Sequence, residues 1–444
     1  MAAAGYLASR SLRSRPLIAV AALLVSAAFP WKEAAFAGAI ALLLALPLHF
    51  QQIKLVLLRF WPISAMIAAA LLITLLDATT GIDLRSTIRI SFYYIRIPVF
   101  IVLGFAARRY VGDDRPLLWT IVALGVWGGG QTVLRYMSGG NLSDLNHDQI
   151  RAVVGSGDTI STLIPLCMLT LWARTQSSTA KMALVAASGL ALLGVLAASS
   201  RTGLLVLLLS GLLSMPRIRP LPIALWGSLA VLAGTFVLTT PAFPPILHLF
   251  GIDPLQLDSL AEVIARPRSD LFSINKQWRG YETYMAFSAA SRDGLGPLLF
   301  GHGMSAYAPL GIFIELAPGQ MFDRTDVFHN GWSFIVLHSG LIGAALYIAF
   351  FFQLTSSPIV SRGITVRQDN RLFALVVLSL ASSTAVVAGA FNGGAFASVQ
   401  LFLIGCFYPY SLVPVPTRLR SQAGARPAPR RAGVASKPDL SLQG

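Results

Sequence analysis

The sequence predicts an all-α fold, a polytopic bundle of about twelve transmembrane helices with one large loop between the ninth and the tenth. Two compositional observations lead to this prediction: hydrophobic residues make up 55% of the 444 residues and charged residues only 12%, and the mean hydropathy is +0.68. Neither value fits a chain with a water-soluble surface. The third observation is that the apolar residues fall into segments of membrane-spanning length.

The predicted spans follow from the thickness of the bilayer. A hydrocarbon core of about 30 Å needs roughly 20 residues of helix, with a range of about 17–25. The segments that fit are 16–30, 34–50, 60–76, 88–107, 116–134, 159–173, 182–198, 202–215, 221–240, 329–354, 372–389 and 397–413. Two alternatives stay open: residues 182–215 as a broken pair or re-entrant hairpin, and residues 16–30 as a cleaved signal peptide. Because the apolar series continues directly to Phe50, a retained first helix is favoured.

Basic residues set the predicted orientation. The loops on the side of the N-terminus are rich in Lys and Arg, and the short loops of the opposite side carry few, so both termini are predicted to be cytoplasmic. The basic residues behind the net charge of +15 are then explained mainly by the orientation of the chain in the membrane. Nucleic-acid binding is the weaker interpretation of this charge. The Pro-, Ala- and Arg-rich residues 414–444 are predicted to form a basic, disordered cytoplasmic tail near the lipid.

The chain divides into four predicted parts: residues 1–240 with spans 1–9, the loop 241–328, residues 329–413 with spans 10–12, and the tail 414–444. The loop is too long for a linker and too poor in charge for a tethered soluble enzyme, so we expect it to be half-embedded at the membrane surface. Within it Ser269 and Asp270 precede an apolar stripe that predicts an interfacial amphipathic helix, flanked by Arg279 and Glu282. The stripe comprises Leu271, Ile274, Trp278, Tyr281 and Met285.

Signatures of several other chemistries are missing from the sequence. It has no glycine-rich phosphate loop and no metal signature, so neither a metal nor another cofactor is predicted. Cys167 and Cys406, the two cysteines, both fall inside predicted spans. We therefore expect small core residues rather than a disulfide.

Three residues are predicted to face the same compartment at membrane-surface depth: Arg201, Arg279 and His329. Guanidinium groups bind phosphate oxygens bidentately, and a neutral imidazole accepts a proton from a hydroxyl near neutral pH. The trio therefore suits a transfer reaction with a diphosphate leaving group. Accessory roles at the same site are predicted for Arg89, Arg96, Asn330, Glu282 and His302.

Arg89 and Arg96 lie seven residues apart within the fourth predicted span. A charge at mid-bilayer costs at least about 2.5–3.5 kcal/mol on insertion scales, so such side chains usually face a partner or a cavity. Asp77 and Asp83 are the candidate structural partners. The functional alternative is a basic groove that leads a lipid diphosphate into the site.

Three motifs resemble the signatures of the O-antigen ligase and polymerase superfamily: SSRTGLL (199–205), RGYETYMAFSAASRDGLGPLLFGHG (279–303) and HNGWSFIVLHSGLIG (329–343). The order of these motifs and the architecture around them are similar as well. The resemblance implies a GT-C-like membrane glycosyltransferase of the inner membrane that moves a glycan from undecaprenyl diphosphate to an acceptor hydroxyl, metal-independently and with inversion. It also implies that Arg201 and Arg279 hold the diphosphate and that His329 activates the acceptor.

Simpler roles for these residues remain open. His329 could cap its helix and contact lipid headgroups, and Arg201 could be an interface anchor. Arg266, Arg268 or Arg292 of the same loop could replace Arg279 at the phosphate, and His302 could be a turn residue among glycines.

The function itself also has alternatives. The favoured acceptor is a lipid A core sugar, as for a ligase, because the large loop is compact with a single interfacial helix and the second loop, 137–158, offers only Arg151. Nothing in the tail resembles the additional folded domain that protein-modifying members of the family often carry, which disfavours a protein acceptor. An O-antigen or exopolysaccharide polymerase is the first alternative. A protein glycosyltransferase follows, and a transporter for an anionic solute is more distant.

Overall fold

The fold is known from a computed structural model. It describes residues 17–18, 20–26, 32–45, 50–76, 83–110, 115–138, 163–172, 175–197, 201–215, 217–241, 243–245, 264–265, 267, 274, 278–317, 320–356, 364–387, 389–392 and 394–408. The helices before the large loop are α1 (Lys32–Ala45), α2 (Phe50–Arg59), α3 (Trp61–Leu76), α4 (Leu84–Tyr110), α5 (Arg115–Ser138), α6 (Ile164–Trp172), α7 (Ser178–Ala197), α8 (Arg201–Ser214) and α9 (Pro220–Thr239). The later elements are α10 (Trp278–Arg292), α11 (Leu295–Phe300), β1 (Ala308–Ala317), β2 (Gln320–Thr325), α12 (Gly331–Thr355), α13 (Ile364–Val387), α14 (Gly389–Asn392) and α15 (Gly394–Phe407).

Within these ranges, five helices are long and apolar enough to cross a membrane, namely α4, α5, α7, α9 and α12. They coincide with the predicted spans 88–107, 116–134, 182–198, 221–240 and 329–354. Shorter apolar stretches lie in α3, α8 and α15. A mostly helical chain with several helices able to cross a membrane is thus confirmed, and the number twelve stays a prediction.

Glycines allow the apolar helices to pack backbone against backbone. A Cβ atom on Gly104 of α4 would overlap the carbonyl oxygen of Phe402 in α15, and one on Gly405 would overlap that of Ile101. Between α5 and α7, a Cβ on Gly194 would lie 2.8 Å from the Cα of Gly129. Close approach through small residues is the usual means of packing helices in lipid, where no hydrophobic force drives them together. Cys167 and Cys406 are buried and unbridged, as expected from the sequence.

An aromatic cluster fills the interior where α4, α12 and α14 meet. The Tyr94 ring lies 5.2 Å from Phe391 and 5.5 Å from Phe334, and the Phe334 ring is stacked on Phe391 at 5.2 Å. The Tyr94 hydroxyl forms a 2.8 Å hydrogen bond with the hydroxyl of Ser339, so its polar end is satisfied inside the apolar core. This cluster holds the first half of α12 in a fixed position.

The long helix α12 is broken at Gly340, whose φ of +66° is non-helical. The segment after α11 fills the break: the amide of His302 donates to the carbonyl oxygen of Leu337 at 2.9 Å, and the amide of Gly303 donates to that of His338 at 3.2 Å. Gly301 and Gly303 also have positive φ, and a Cβ on Gly301 would overlap the backbone of His338. The break is therefore closed by protein backbone.

The all-α prediction is wrong within the large loop, where β1 and β2 form a two-stranded antiparallel hairpin. Ala308 pairs with Thr325 and Ala317 with Gln320. The apolar, partly β-branched run GIFIELA (311–317), followed by Pro318-Gly319, is a hairpin signal.

The predicted interfacial helix is present from Trp278 onward as α10, and the predicted cap at Ser269 and Asp270 lies outside the described residues. Its environment differs from the expectation, because α10 is enclosed rather than half exposed. Tyr281 packs with Ile274 and Leu310 of β1, and its hydroxyl donates to the Leu310 carbonyl oxygen. Glu282, expected beside the apolar stripe, is only 1% exposed.

Candidate functional site

The beginning of α12 is positioned by Asn330. Its Oδ1 accepts a 2.9 Å hydrogen bond from the backbone amide of Trp332, which is an N-cap interaction, and its Nδ2 donates to the Thr283 hydroxyl at 3.1 Å. The indole of Trp332 donates to the Thr235 hydroxyl of α9 at 3.0 Å. The three contacts join α9, α10 and α12 at one point, and His329 is the residue immediately before this junction.

His329 and Glu282 form a dyad with two hydrogen bonds. The backbone amide of His329 donates to Glu282 Oε1 at 2.6 Å, and its ring Nδ1 lies 3.0 Å from Oε2. The Glu282 side chain is 1% exposed, whereas that of His329 is 55% exposed. Because a carboxylate only accepts hydrogen bonds, Nδ1 carries the proton of the neutral ring and the lone pair is at Nε2.

The carboxylate also changes the acidity of the imidazole. The pKa of His329 is raised above its usual value, chiefly because Nδ1 is hydrogen bonded to Glu282; partial burial opposes this shift. The negative charge of Glu282 raises the pKa further, and the positive charge of Arg279 lowers it. The ring therefore has the properties of a general base: an oriented lone pair and a carboxylate that stabilises the protonated form.

Arg279 lies on α10 three residues before Glu282, and its backbone carbonyl accepts a 2.7 Å hydrogen bond from the Thr283 hydroxyl. Its positive charge lowers the pKa of His329, and the binding of a diphosphate by this guanidinium stays a prediction. Arg201 is the first residue of α8, but its side chain lies outside the described part of the structure. Whether it faces the dyad therefore stays a prediction.

No protein-family model matches this chain, and neither a curated protein nor a solved structure is detectably similar to it. The roles of the site residues are therefore inferred from the geometry of the site alone.

The two intramembrane arginines occupy different environments from those predicted. Arg89 forms an ion pair with Asp326, in the segment that follows β2, rather than with Asp83. Arg96 is 2% exposed and donates to the carbonyl oxygen of Ala390 at 2.6 Å. A buried, backbone-bound Arg96 does not fit the predicted open basic groove, because an open groove would leave its guanidinium accessible.

Asp83, one of the two predicted partners of these arginines, has a different role in the structure. Asp83 caps α4, accepting hydrogen bonds from the amide of Ser86 at 3.2 Å and from its hydroxyl at 3.0 Å. These bonds lower the pKa of Asp83. Asp77 lies outside the described residues. Only tertiary structure brings Asp326 to Arg89, since 237 residues separate the two in sequence.

His302 belongs to the segment that closes the helix break. Its Nε2 lies 3.2 Å from the carbonyl oxygen of Ala289 and its Nδ1 lies 3.9 Å from the Asp293 carboxylate. These contacts hold the loop against the end of α10, which is a structural role and favours the turn interpretation. In the described part of the chain, no three His, Cys, Asp or Glu side chains are grouped so that they could hold a metal ion.

The variant Glu282→Gln tests the dyad through its pH dependence. Without the carboxylate the pKa of His329 should fall, so the acidic limb of the transfer-rate profile should move to lower pH. The maximal rate should also fall, because the Gln amide can donate to Nδ1 and stabilise the wrong tautomer. The measurement is the pH profile of transfer by the purified protein. Asp293→Asn, at an exposed carboxyl just after α10, is the control and should leave the profile in place.

Proposed function

We propose that the protein is an integral-membrane glycosyltransferase of the O-antigen ligase type, which transfers a glycan from undecaprenyl diphosphate to an acceptor hydroxyl. The observation that carries the proposal is the Glu282–His329 dyad. A fully buried carboxylate orients an exposed imidazole at the beginning of a helix able to cross the membrane. In this arrangement the imidazole would serve as a general base at the surface where a lipid-linked donor would present its glycan.

In the proposed reaction, Nε2 of His329 takes the proton of the acceptor hydroxyl while the oxygen attacks the anomeric carbon of the donor glycan. A new carbon–oxygen bond forms, and the bond from that carbon to the diphosphate oxygen breaks with its electron pair leaving on the diphosphate. The proton stays on the imidazole, and Glu282 stabilises the resulting imidazolium cation until the proton is lost to solvent. Arg279 and Arg201 would stabilise the charge of the departing diphosphate, since guanidinium groups match phosphate oxygens.

The proposed setting is the bacterial inner membrane, with about twelve spans and both termini in the cytoplasm. The dyad would then face the periplasm, together with the loop 241–328. The excess of Lys and Arg in the loops of the N-terminal side supports this orientation. ATP is not available in that compartment, so a donor that carries its own diphosphate leaving group suits it.

A direct test is transfer by the purified protein in detergent, given only lipid-linked glycan and an acceptor. Product formed without any ion or solute gradient would support the transferase. Catalysed movement of an anionic solute across proteoliposomes, with no product in detergent, would favour the transporter.

The broken helix α12 is the observation that favours a transporter, because discontinuous helices often form substrate sites near the middle of the bilayer. Here two of the carbonyl groups at the break, those of Leu337 and His338, accept hydrogen bonds from the amides of His302 and Gly303 of the same chain. They are therefore occupied, which makes the transporter the weaker proposal.

The lipid A core is the proposed acceptor, and a deletion strain separates it from the polymerase alternative. Loss of polymer from the core, with long polymer accumulating on undecaprenyl diphosphate, is the result expected of a ligase. A core capped by a single repeat, with no long chains on either carrier, would favour a polymerase. Lipopolysaccharide gels and extraction of lipid-linked glycans measure the two products.

Conservative substitution of the arginines tests how the diphosphate is held. Arg279→Lys and Arg201→Lys should each lose at least about tenfold in transfer rate, because Lys keeps the charge but loses the planar, bidentate fork. The exposed Arg292, at the end of α10, supplies the control Arg292→Ala, which should transfer normally. Normal activity in both Lys variants, with loss in the Ala variants, would mean that each arginine acts only as a point charge.

A further inference from the structure

The short helix α11 has an apolar surface that no other described element covers. Its sequence is LGPLLF, none of its residues is buried, and the exposed fractions are 74% for Leu295, 39% for Leu299 and 50% for Phe300. Three large apolar side chains exposed within six residues are unfavourable in water, since each buried apolar side chain of this size contributes about 1.5–3 kcal/mol. The surface therefore needs an apolar environment.

The position of α11 along α12 shows where that environment lies. A Cβ on Gly340 would overlap the carbonyl group of Leu299, so the end of α11 contacts the backbone of α12 at its break. Gly340 comes nine residues after Gly331, the first residue of a helix able to cross a membrane. At a rise of 1.5 Å per residue, the contact is about 14 Å below the beginning of that helix.

The backbone of the following segment is satisfied at this depth, as lipid requires. The amide of Gly301 donates to the carbonyl oxygen of Pro297 at 2.7 Å, and the amides of His302 and Gly303 donate to the carbonyls of α12 at the break. The amide of Met304 donates to the Thr74 hydroxyl of α3 at 2.6 Å. Irregular backbone is tolerated inside a membrane only when it is bonded to protein in this way.

The apolar surface of α11 adjoins the exposed surface of α3. Thr74, which binds Met304, lies in the last turn of α3, and its neighbours Leu72, Leu75 and Leu76 are 57%, 68% and 70% exposed. Helix α3 is apolar throughout, so its exposed leucines face lipid in a membrane-embedded chain. The charged residues nearest to α11 on its N-terminal side are Arg292 and Asp293, and both precede the helix.

We propose that residues 294–304 form a re-entrant segment that dips into the membrane from the side of His329 and contacts the lipid acyl chains through Leu295, Leu299 and Phe300. The segment descends as α11, turns at Gly301 and Gly303 against α12 and α3, and returns toward β1. This inference does not require the transferase function, because it depends only on the membrane insertion of α3 and α12.

The depth of a nitroxide label on the full-length protein tests the proposal. Single-cysteine labels are placed at Leu295→Cys and Leu299→Cys, with Leu75→Cys on α3 as the lipid reference and Ser291→Cys at the end of α10 as the aqueous reference. The native Cys167 and Cys406 are buried and need no replacement. The protein is reconstituted in vesicles of phosphatidylethanolamine and phosphatidylglycerol, and collisions with oxygen, which partitions into lipid, are compared with collisions with a water-soluble nickel chelate.

The expected result is that oxygen collisions dominate at 295 and 299, as they do at 75, whereas nickel collisions dominate at 291. Nickel dominance at 295 and 299 would place α11 in water and overturn the proposal. Low collision with both reagents at these positions would overturn it too, because a protein surface would then cover α11. All four side chains are exposed, so labelling them leaves the packing of the fold intact.

Discussion

Replacing His329 by alanine is expected to reduce transfer about 10²–10⁴-fold, the usual contribution of a positioned general base. The loss should appear in the chemical step, because no other described side chain is placed on Glu282 to accept the hydroxyl proton. Folding should be largely intact, since the imidazole is 55% exposed and the backbone amide of residue 329 still donates to Glu282. The measurement is the initial rate with purified donor and acceptor in detergent.

The matched control is His302→Gln, which alters the other histidine of the large loop at a position that closes the helix break. It should keep its rate within a few fold. Added imidazole should restore part of the activity of His329→Ala, because the missing ring leaves an accessible space beside Glu282. A His329→Ala variant that transfers at nearly the normal rate would leave His329 only the role of a helix-terminal residue.

Gly301→Ala is expected to destabilise the fold by about 2–6 kcal/mol. The backbone of this residue, with φ +81° and ψ −178°, lies in a region that is essentially restricted to glycine, where another residue costs about 1–3 kcal/mol. The added methyl group would overlap the backbone of His338 in α12, and overpacking of this kind costs a further 1–3 kcal/mol, approximately. A backbone obstacle moves less readily than a side chain, so relief would require the loop to leave the break.

Thermal unfolding of the detergent-solubilised protein measures this effect. Gly211→Ala, in the interior of α8, is the matched control, because no atom lies within 4 Å of a Cβ at that position and alanine favours the helical conformation. It should leave the midpoint unchanged or raise it slightly, whereas Gly301→Ala should lower it clearly. Equal midpoints for the two variants would show that the segment does not seal the break.

The elements that the sequence predicts well are those with a local cause. A run of about 20 apolar residues must form a helix in lipid, so the ranges of α4, α5, α7, α9 and α12 are close to the predicted spans. The beginning of α12 at Gly331 is also close to the predicted residue 329, but its N-cap is Asn330 and not His329, for which the sequence allowed that role. These features require no knowledge of what packs against them.

The features that escaped prediction depend on residues far apart in the chain. Asp326 meets Arg89 across 237 residues, and Glu282, predicted only as an accessory residue of the site, bonds directly to His329 across 47. The break at Gly340 exists because the segment around Gly301 packs against it, and nothing in the local sequence separates it from the glycines that only permit close helix contact. The hairpin has a different reason. Its β-branched run is short, and the hydropathy of the loop around it does not distinguish a strand from other apolar segments.

The separation of Glu282 from His329 has a consequence for biosynthesis. The chain is made from its N-terminus, so Glu282 emerges while α12 is still to be synthesised. Its carboxyl group can form its two hydrogen bonds with His329 only after residue 329 has been added. A polypeptide halted before residue 329 would therefore leave the Glu282 carboxyl group, which is 1% exposed in the full chain, without its imidazole and amide partners. Synthesis of about the last quarter of the chain is therefore the step that completes the dyad.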